Sequence, residues 1–220
     1  MTTTKKKQER STTLKLSEPD IVIGIDPSSG AKSAVGVSII NPKAREILDF
    51  TEIICPKYMP VEKRLKLISK ELRSFLYPKY VTGKLLIAIE YTIMAGKGGE
   101  SLNRAIGAMI VSTPVDSEDA LYRNVQNTTV KKLIAGHGAA EKEQVAIGLK
   151  NFFNSSEQSL SILNDLTKLQ KFDIIDSIGI GVTGYLQHIS GDNEPGDSKV
   201  FKPKRKTVGL YKGNKNDGAE

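Results

Sequence analysis

The chain has 220 residues, with 32 lysines and arginines against 25 aspartates and glutamates (net charge +7), 39% hydrophobic residues and one cysteine, Cys55. That length suits one globular domain with tails, and a lone cysteine excludes an internal disulfide framework and fits a reducing compartment. The first twenty residues are rich in Thr, Lys and Glu without the apolar stretch of a secretory signal, and no apolar run approaches a membrane span. The expectation is an intracellular, cytoplasmic protein with no membrane partner.

The positive charge is uneven. Residues 1–16 carry +4 and residues 191–220 carry +2, which leaves +1 for residues 17–190. Both ends are poor in apolar residues and read as flexible basic arms, 1–19 and 191–220, around a domain spanning 20–190. Lys5-Lys6-Lys7 and Lys202-Pro-Lys204-Arg205-Lys206 suit a polyanion, although solubilising ends have the same composition.

Within the domain, residues 21–25 and 34–40 are strand-like and joined by a turn containing Pro27, Ser28, Ser29 and Gly30. Asn41-Pro42 marks the next turn, and residues 45–54 supply a third strand, so the first three strands form an antiparallel meander. Val61, Leu65, Ile68, Leu72, Phe75 and Leu76 then share one helical face, ended by Pro78 and Gly83. Residues 85–90 form an apolar strand that, after an intervening helix, runs parallel to the first.

A loop, Ala95-Gly-Lys97-Gly-Gly-Glu100, leads into a helix carrying Leu102, Ala105, Ile106, Met109 and Ile110. Residues 121–125 are a fifth strand. A helix starts at Asn127 and ends at Gly136-His137-Gly138, a second covers 141–153, and a last one covers 172–187, where Gly179, Gly181 and Gly184 permit close packing. His188 ends that helix, where a cation is favourable. The fold class is therefore α/β: a mixed five-stranded sheet, three antiparallel strands then parallel ones, flanked by helices.

Carboxylates carry the chemistry. Asp26 closes one apolar strand and Glu90 closes another at the same, C-terminal, sheet edge, where open α/β sheets place ligands. Asp173 and Asp176, three apart, project from one face of the last helix near its start. Each has a plainer explanation alone: a turn cap for Asp26 before Pro27, the helix dipole for Asp173 and Asp176. Glu90 is harder to explain that way, since a strand-end glutamate is poorly tolerated without a partner. Four converging carboxylates repel one another, and a divalent cation with hard oxygen ligands, Mg²⁺ or Mn²⁺, relieves that repulsion. No Cys/His zinc spacing exists.

The order of these acids resembles the RuvC family of Holliday junction resolvases, within the RNase H-like nucleases. The pattern is Gly24-Ile25-Asp26-Pro27 on the first strand, Ile87-Ala88-Ile89-Glu90 on the fourth, and Asp-x-x-Asp on the final helix. More specific is Val130-Lys131-Lys132-Leu-Ile-Ala-Gly136-His137-Gly138-Ala-Ala-Glu141-Lys142-Glu-Gln144-Val145, similar to the family's Val-Lys, Gly-x-Gly and Ala-Glu-Lys-x-Gln-Val run. The resemblance covers about residues 20–190 and neither arm. The longer arms would suit a phage version, acting in the host cytoplasm.

The resemblance implies a fold, a reaction and its residues. Asp26, Glu90, Asp173 and Asp176 would hold two Mg²⁺ ions, with Mn²⁺ able to substitute. Lys142 would offset charge on the reacting phosphate, and Lys131 would approach the phosphate backbone. Beside what the resemblance implies, Lys132 and Lys97 are candidates for DNA contact, and His137, between two glycines, either hydrogen-bonds a phosphate, assists proton transfer or is an exposed spacer. Where the family often has an aromatic residue at the junction crossover, this chain has Ile93, leaving either Tyr91 to stack or Ile93 to wedge. The activity implied is a magnesium-dependent endodeoxyribonuclease in DNA recombination and repair. It would resolve four-way junctions by paired symmetric nicks as a homodimer, with branch-migration or replication proteins as candidate partners. Three other readings remain open from sequence: a nuclease of flaps, Y-forks or replication branches; a non-catalytic junction-binding protein; and an ATPase, since Ile23-Gly-Ile-Asp26-Pro-Ser-Ser-Gly30 also resembles a phosphate loop of actin- and Hsp70-like proteins.

Overall fold

The computed structural model describes residues 17–27, 34–56, 58–76, 83–91, 106–109 and 120–191. The turn at 28–30, Pro78, the segment 92–105 with Ile93 and Lys97, Ile110, residues 1–16 of the N-terminal arm and residues 192–220 of the C-terminal arm lie outside the described residues. The elements run β1 (Ile21–Asp26), β2 (Val35–Asn41), β3 (Glu46–Ile53), α1 (Val61–Leu76), β4 (Leu85–Glu90), β5 (Ala120–Val125), α2 (Asn127–Ala135), α3 (Lys142–Phe152), α4 (Glu157–Lys168) and α5 (Phe172–Ser190). Residues 106–109 are also helical.

The five strands form one sheet in the order β3-β2-β1-β4-β5. The β3-β2-β1 portion is antiparallel, whereas β1-β4 and β4-β5 are parallel. This is the mixed sheet expected from sequence. Because β1 and β4 are central, both of their faces are buried, which is why they read as unbroken apolar runs. Val22, Ile40, Leu86 and Ala88 face a core built with α2–α5. Ile23, Ile25, Ile39, Ile87 and Ile89 face the other core, with Ile68, Leu72 and Leu76 of α1 and with Ile106 and Met109.

Three local outcomes differ from the sequence expectation. The third strand begins at Glu46, because Arg45 has φ 55 and closes the turn after Asn41. Helix α4 lies where no element was expected. Ser156 caps it, accepting from the Ser159 N–H at 3.2 Å, and Leu163 and Leu166 bury its inner face. Ser159 in turn accepts the Ile47 N–H at 2.9 Å, satisfying a donor of the edge strand β3. His188 is buried, with Nε2 3.1 Å from the Ser17 carbonyl oxygen, so it fastens the chain before β1 to α5 instead of standing as an exposed helix-end cation.

Helix α5 is the central helix of the fold. Thirteen of its nineteen residues are buried, and it crosses β1, β2 and β4. At about 1.5–3 kcal/mol for each large apolar side chain, Ile174, Ile175, Ile178, Ile180 and Val182 make it a major contributor to stability. Its close approach depends on glycines in the sheet. A Cβ on Gly24 would overlap the Ser177 carbonyl oxygen, and one on Gly36 would overlap that of Asp173. Glycine inside a strand often marks such backbone contact.

Candidate active site

Strand alternation puts Asp26 on the face of Val22 and Gly24, and Glu90 on the face of Leu86 and Ala88. Both acids therefore point toward the side that α5 covers. Ile25 pairs with Ile89 in parallel register, so Asp26 and Glu90 follow at one sheet edge. Helix α5 begins over Gly36, which sets Asp173 and Asp176 above that edge.

The result is a cluster: one carboxylate oxygen from each of Asp26, Asp173 and Asp176 lies within 4.8 Å of the others. Glu90 joins it through a side-chain hydrogen bond to Asp26. Burial, then the hydrogen bond and charge of Glu90, then the charges of Asp176 and Asp173, push the Asp26 carboxyl up to about 9. Burial also raises Asp176, against the opposing effect of Lys142.

The donor set fits a divalent cation. It is all oxygen, it comes from three rigid elements, and without a cation its mutual repulsion requires a bound proton near neutral pH.

Lys142, the first residue of α3, reaches this cluster from the side. Its Nζ donates to Asp176 Oδ2 at 2.9 Å and lies 5.3 Å from the centre of the Phe172 ring. Burial lowers the ammonium's pKa, but the Asp176 hydrogen bond and the charges of Asp176, Asp173 and Asp26 outweigh it, and the net shift is upward. The preceding turn positions it: Gly136 is left-handed at φ 89, and Gln144 Oε1 accepts the Glu141 N–H at 2.8 Å, fixing the start of α3.

The other expected residues surround this centre to different degrees. Lys131 lines a recess of about 90 Å³ together with Lys142 and Asp176. Lys132 and His137 are exposed on α2 and the turn after it. Tyr91 follows Glu90 directly, is 38% exposed, and donates its N–H to the Val125 carbonyl at 2.8 Å. A larger recess of about 430 Å³ lies between β3 and α1, lined by Glu52, Ile54, Glu71 and Phe75 and by none of the cluster carboxylates. Sequence reasoning missed Gly36, which was detectable as a glycine inside a strand pattern.

The family model for crossover junction endodeoxyribonuclease RuvC matches residues 22–183. The protein of that name from Thermotoga petrophila is 30% identical over 142 residues, covering 62% of this chain and 80% of its own. Its counterpart from Prosthecochloris aestuarii is 23% identical over 171 residues, covering 78% and 84%. Among solved structures, Thermus thermophilus RuvC shares the fold with a TM-score of 0.54 at 17% identity, covering 79% of this chain and 98% of its own. The same RuvC in complex with a Holliday junction substrate also gives 0.54, covering 77% and 96%. The family match spans both acid-bearing strands, the Val130–Val145 run and the acidic end of α5, and on that extent the chain belongs to the RuvC family of crossover junction endodeoxyribonucleases.

Proposed function

We propose that the chain resolves four-way DNA junctions by hydrolysing one phosphodiester in each of two opposed strands. Asp26, Glu90, Asp173 and Asp176 would hold the metal, and Lys142 would act on the reacting phosphate. The observation that carries this reading is the approach of three aspartate carboxylates within 4.8 Å, with Lys142 on one of them. A structural role alone gives no reason to gather like charges at an open sheet edge.

We further propose two Mg²⁺ ions, replaceable by Mn²⁺, as the resident cofactor. When bound, such ions supply Lewis acidity toward the phosphoryl oxygens and lower the pKa of water. The protein's own groups do the rest. β1, β4 and α5 hold the carboxylates rigid. Lys142, aimed from α3, places an ammonium where negative charge builds on the phosphate, a preorganised contribution of the oxyanion-hole kind. Lys131, Lys132 and His137 extend from it along α2 and its turn and suit successive phosphates of one strand.

Two opposed cuts need two sites, so a two-fold homodimer is the assembly proposed. The charged arms, 1–19 and 191–220, would add affinity for the junction. Among the described residues no helix is long and apolar enough to cross a membrane.

The test is cleavage of a mobile four-way junction in Mg²⁺, beside a flap, a Y-fork and linear duplex, with Glu90→Gln as control. Paired symmetric nicks confined to the junction and lost in the variant support the reading. Equal cutting of flaps and forks replaces it with a general branch nuclease on the same chemistry. Tight junction binding without cutting in either metal overturns the hydrolytic assignment.

A further inference from the structure

The recess beside Asp176 has a distinctive lining. Val130, Val145 and Ile180 are its apolar lining, and Asn127, Lys131, Lys142 and Asp176 its polar lining, with the Asp176 charge offset by Lys142. Lys142 is committed to Asp176. Asn127 is exposed at the first position of α2, and its carboxamide makes no hydrogen bond among the described residues. Among the described residues nothing pairs with this side chain. Alanine would serve the helix better, and Gln126 already begins it with its carbonyl, which accepts from Thr129 and Val130.

The recess is small, about 90 Å³, and sits directly beside the carboxylate cluster through Asp176. The Lys131 ammonium and the Asn127 carboxamide N–H₂ are donors suited to non-bridging phosphate oxygens, and the apolar lining suits the carbons of the attached sugar.

Resting on the junction-cleaving reading above, we propose that this recess seats the phosphate next to the scissile one. Asn127 is a positioning residue that donates to one of its oxygens. The neighbouring phosphate is thereby held on the α2 side while the scissile one meets the carboxylates. Because Asn127 is neutral, its contact depends on distance and direction and does not add to the salt dependence set by the lysines.

Three substitutions test this, since replacing an exposed first-turn residue leaves the fold intact. Junction affinity is measured from 50 to 200 mM salt in an Asp26→Asn background that cannot cut, and single-turnover cleavage in the otherwise native chain. Asn127→Ala should weaken binding by about fivefold, the share of one neutral hydrogen bond. Asn127→Asp should weaken it more, at least about tenfold by placing like charge against the phosphate, although an acid at that position favours the helix and the melting temperature should not fall. Asn127→Lys should tighten low-salt binding and steepen the salt slope by about 0.9, one further phosphate neutralised.

Native affinity and slope in both charged variants, from a protein that cuts junctions normally, overturn the proposal and leave the nuclease reading intact. Equal losses in all three variants with a lowered melting temperature also overturn it, by making Asn127 structural. A native chain that does not cut junctions removes the reading beneath it.

Discussion

Asp26→Asn should stabilise the metal-free protein while abolishing its activity. Burial and the neighbouring carboxylates raise Asp26 from 3.8 to about 9. Its proton is therefore held more tightly in the folded state than in the unfolded one. Between about pH 4 and 9 the unfolded chain releases that proton and the folded chain keeps it, so stability falls as pH rises. At pH 7, about three pH units above the ordinary value, the penalty reaches ~4 kcal/mol as a ceiling, at about 1.4 kcal/mol per unit. Relaxation of the site reduces it, and about half that figure is expected. Asparagine removes the titration and keeps the shape. In EDTA at pH 7 the variant should melt roughly 4–8 °C higher, at 2–4 °C per kcal/mol for a chain of this size. The native protein's loss of stability between pH 5 and 9 should flatten. Adding Mg²⁺ should raise the native melting temperature by its binding free energy and move the variant much less. The assay is thermal unfolding across pH with EDTA or metal. An unchanged or lower melting temperature for Asp26→Asn in EDTA would falsify the claim that the cluster is electrostatically strained without a cation.

Four further outcomes follow from the same geometry. Gly36→Ala should destabilise the fold by about 1–3 kcal/mol through overpacking against the Asp173 carbonyl, and should lose cleavage even well below its melting temperature; full activity in the folded variant would show that α5 can shift without disturbing the site. Lys142→Met should cost under about 1 kcal/mol of stability, because the ammonium is half exposed, but slow single-turnover cleavage by about a hundredfold. Losing that ammonium raises Asp176 further, so the acid limb of the variant's pH–rate profile should move to higher pH; an unmoved limb would detach Lys142 from the carboxylates. Junction affinity should fall about linearly in log–log form with salt, and Lys131→Ala should reduce the slope by about one; a flat native response would exclude a phosphate-dominated interface. Removing residues 1–16 or 199–215 should weaken junction binding more than it slows saturated turnover, and unchanged affinity would leave the arms as solubilising ends.

The sheet was legible because burial on both faces writes itself into sequence as apolar runs. Residues 21–25 and 85–89 could hardly be anything but central strands, and the acids closing them fell at one edge once β1 and β4 were parallel. The features that escaped the sequence depend on contacts between distant residues. Helix α4 mixes helix formers with Ser, Asn, Asp and Thr, so its propensity alone does not mark it; the burial of Leu163 and Leu166 holds it, and Ser159 accepts from Ile47, 112 residues away. His188 looked like a helix-end cation because the Ser17 carbonyl that holds it is 171 residues distant. Arg45 gave no sign of a left-handed turn residue, since only the β2–β3 pairing requires one. Glycines in β1 and β2 had no local cause, because their cause is the backbone of α5 lying against them.

These contacts also explain why chemistry and stability meet at one end of α5. The helix must be deeply buried to bring Asp173 and Asp176 to Asp26, and deep burial is what makes three carboxylates there costly. The strain is tolerable because it sits on a deeply buried helix, with Ile174, Ile175 and Ile178 anchoring the turns that carry the acids. The proposed DNA contacts have the opposite design. Lys132, His137 and Asn127 are exposed on α2 and the turn after it, and Tyr91 is exposed at a strand end, where a side chain can change without disturbing the core. Substitutions in the first group should therefore alter folding and metal response together, and those in the second should alter only how DNA is held. A variant of Lys132 or His137 that changed metal-dependent melting would break that division, because it would couple an exposed side chain to the half-buried carboxylates with no contact among the described residues to transmit the effect.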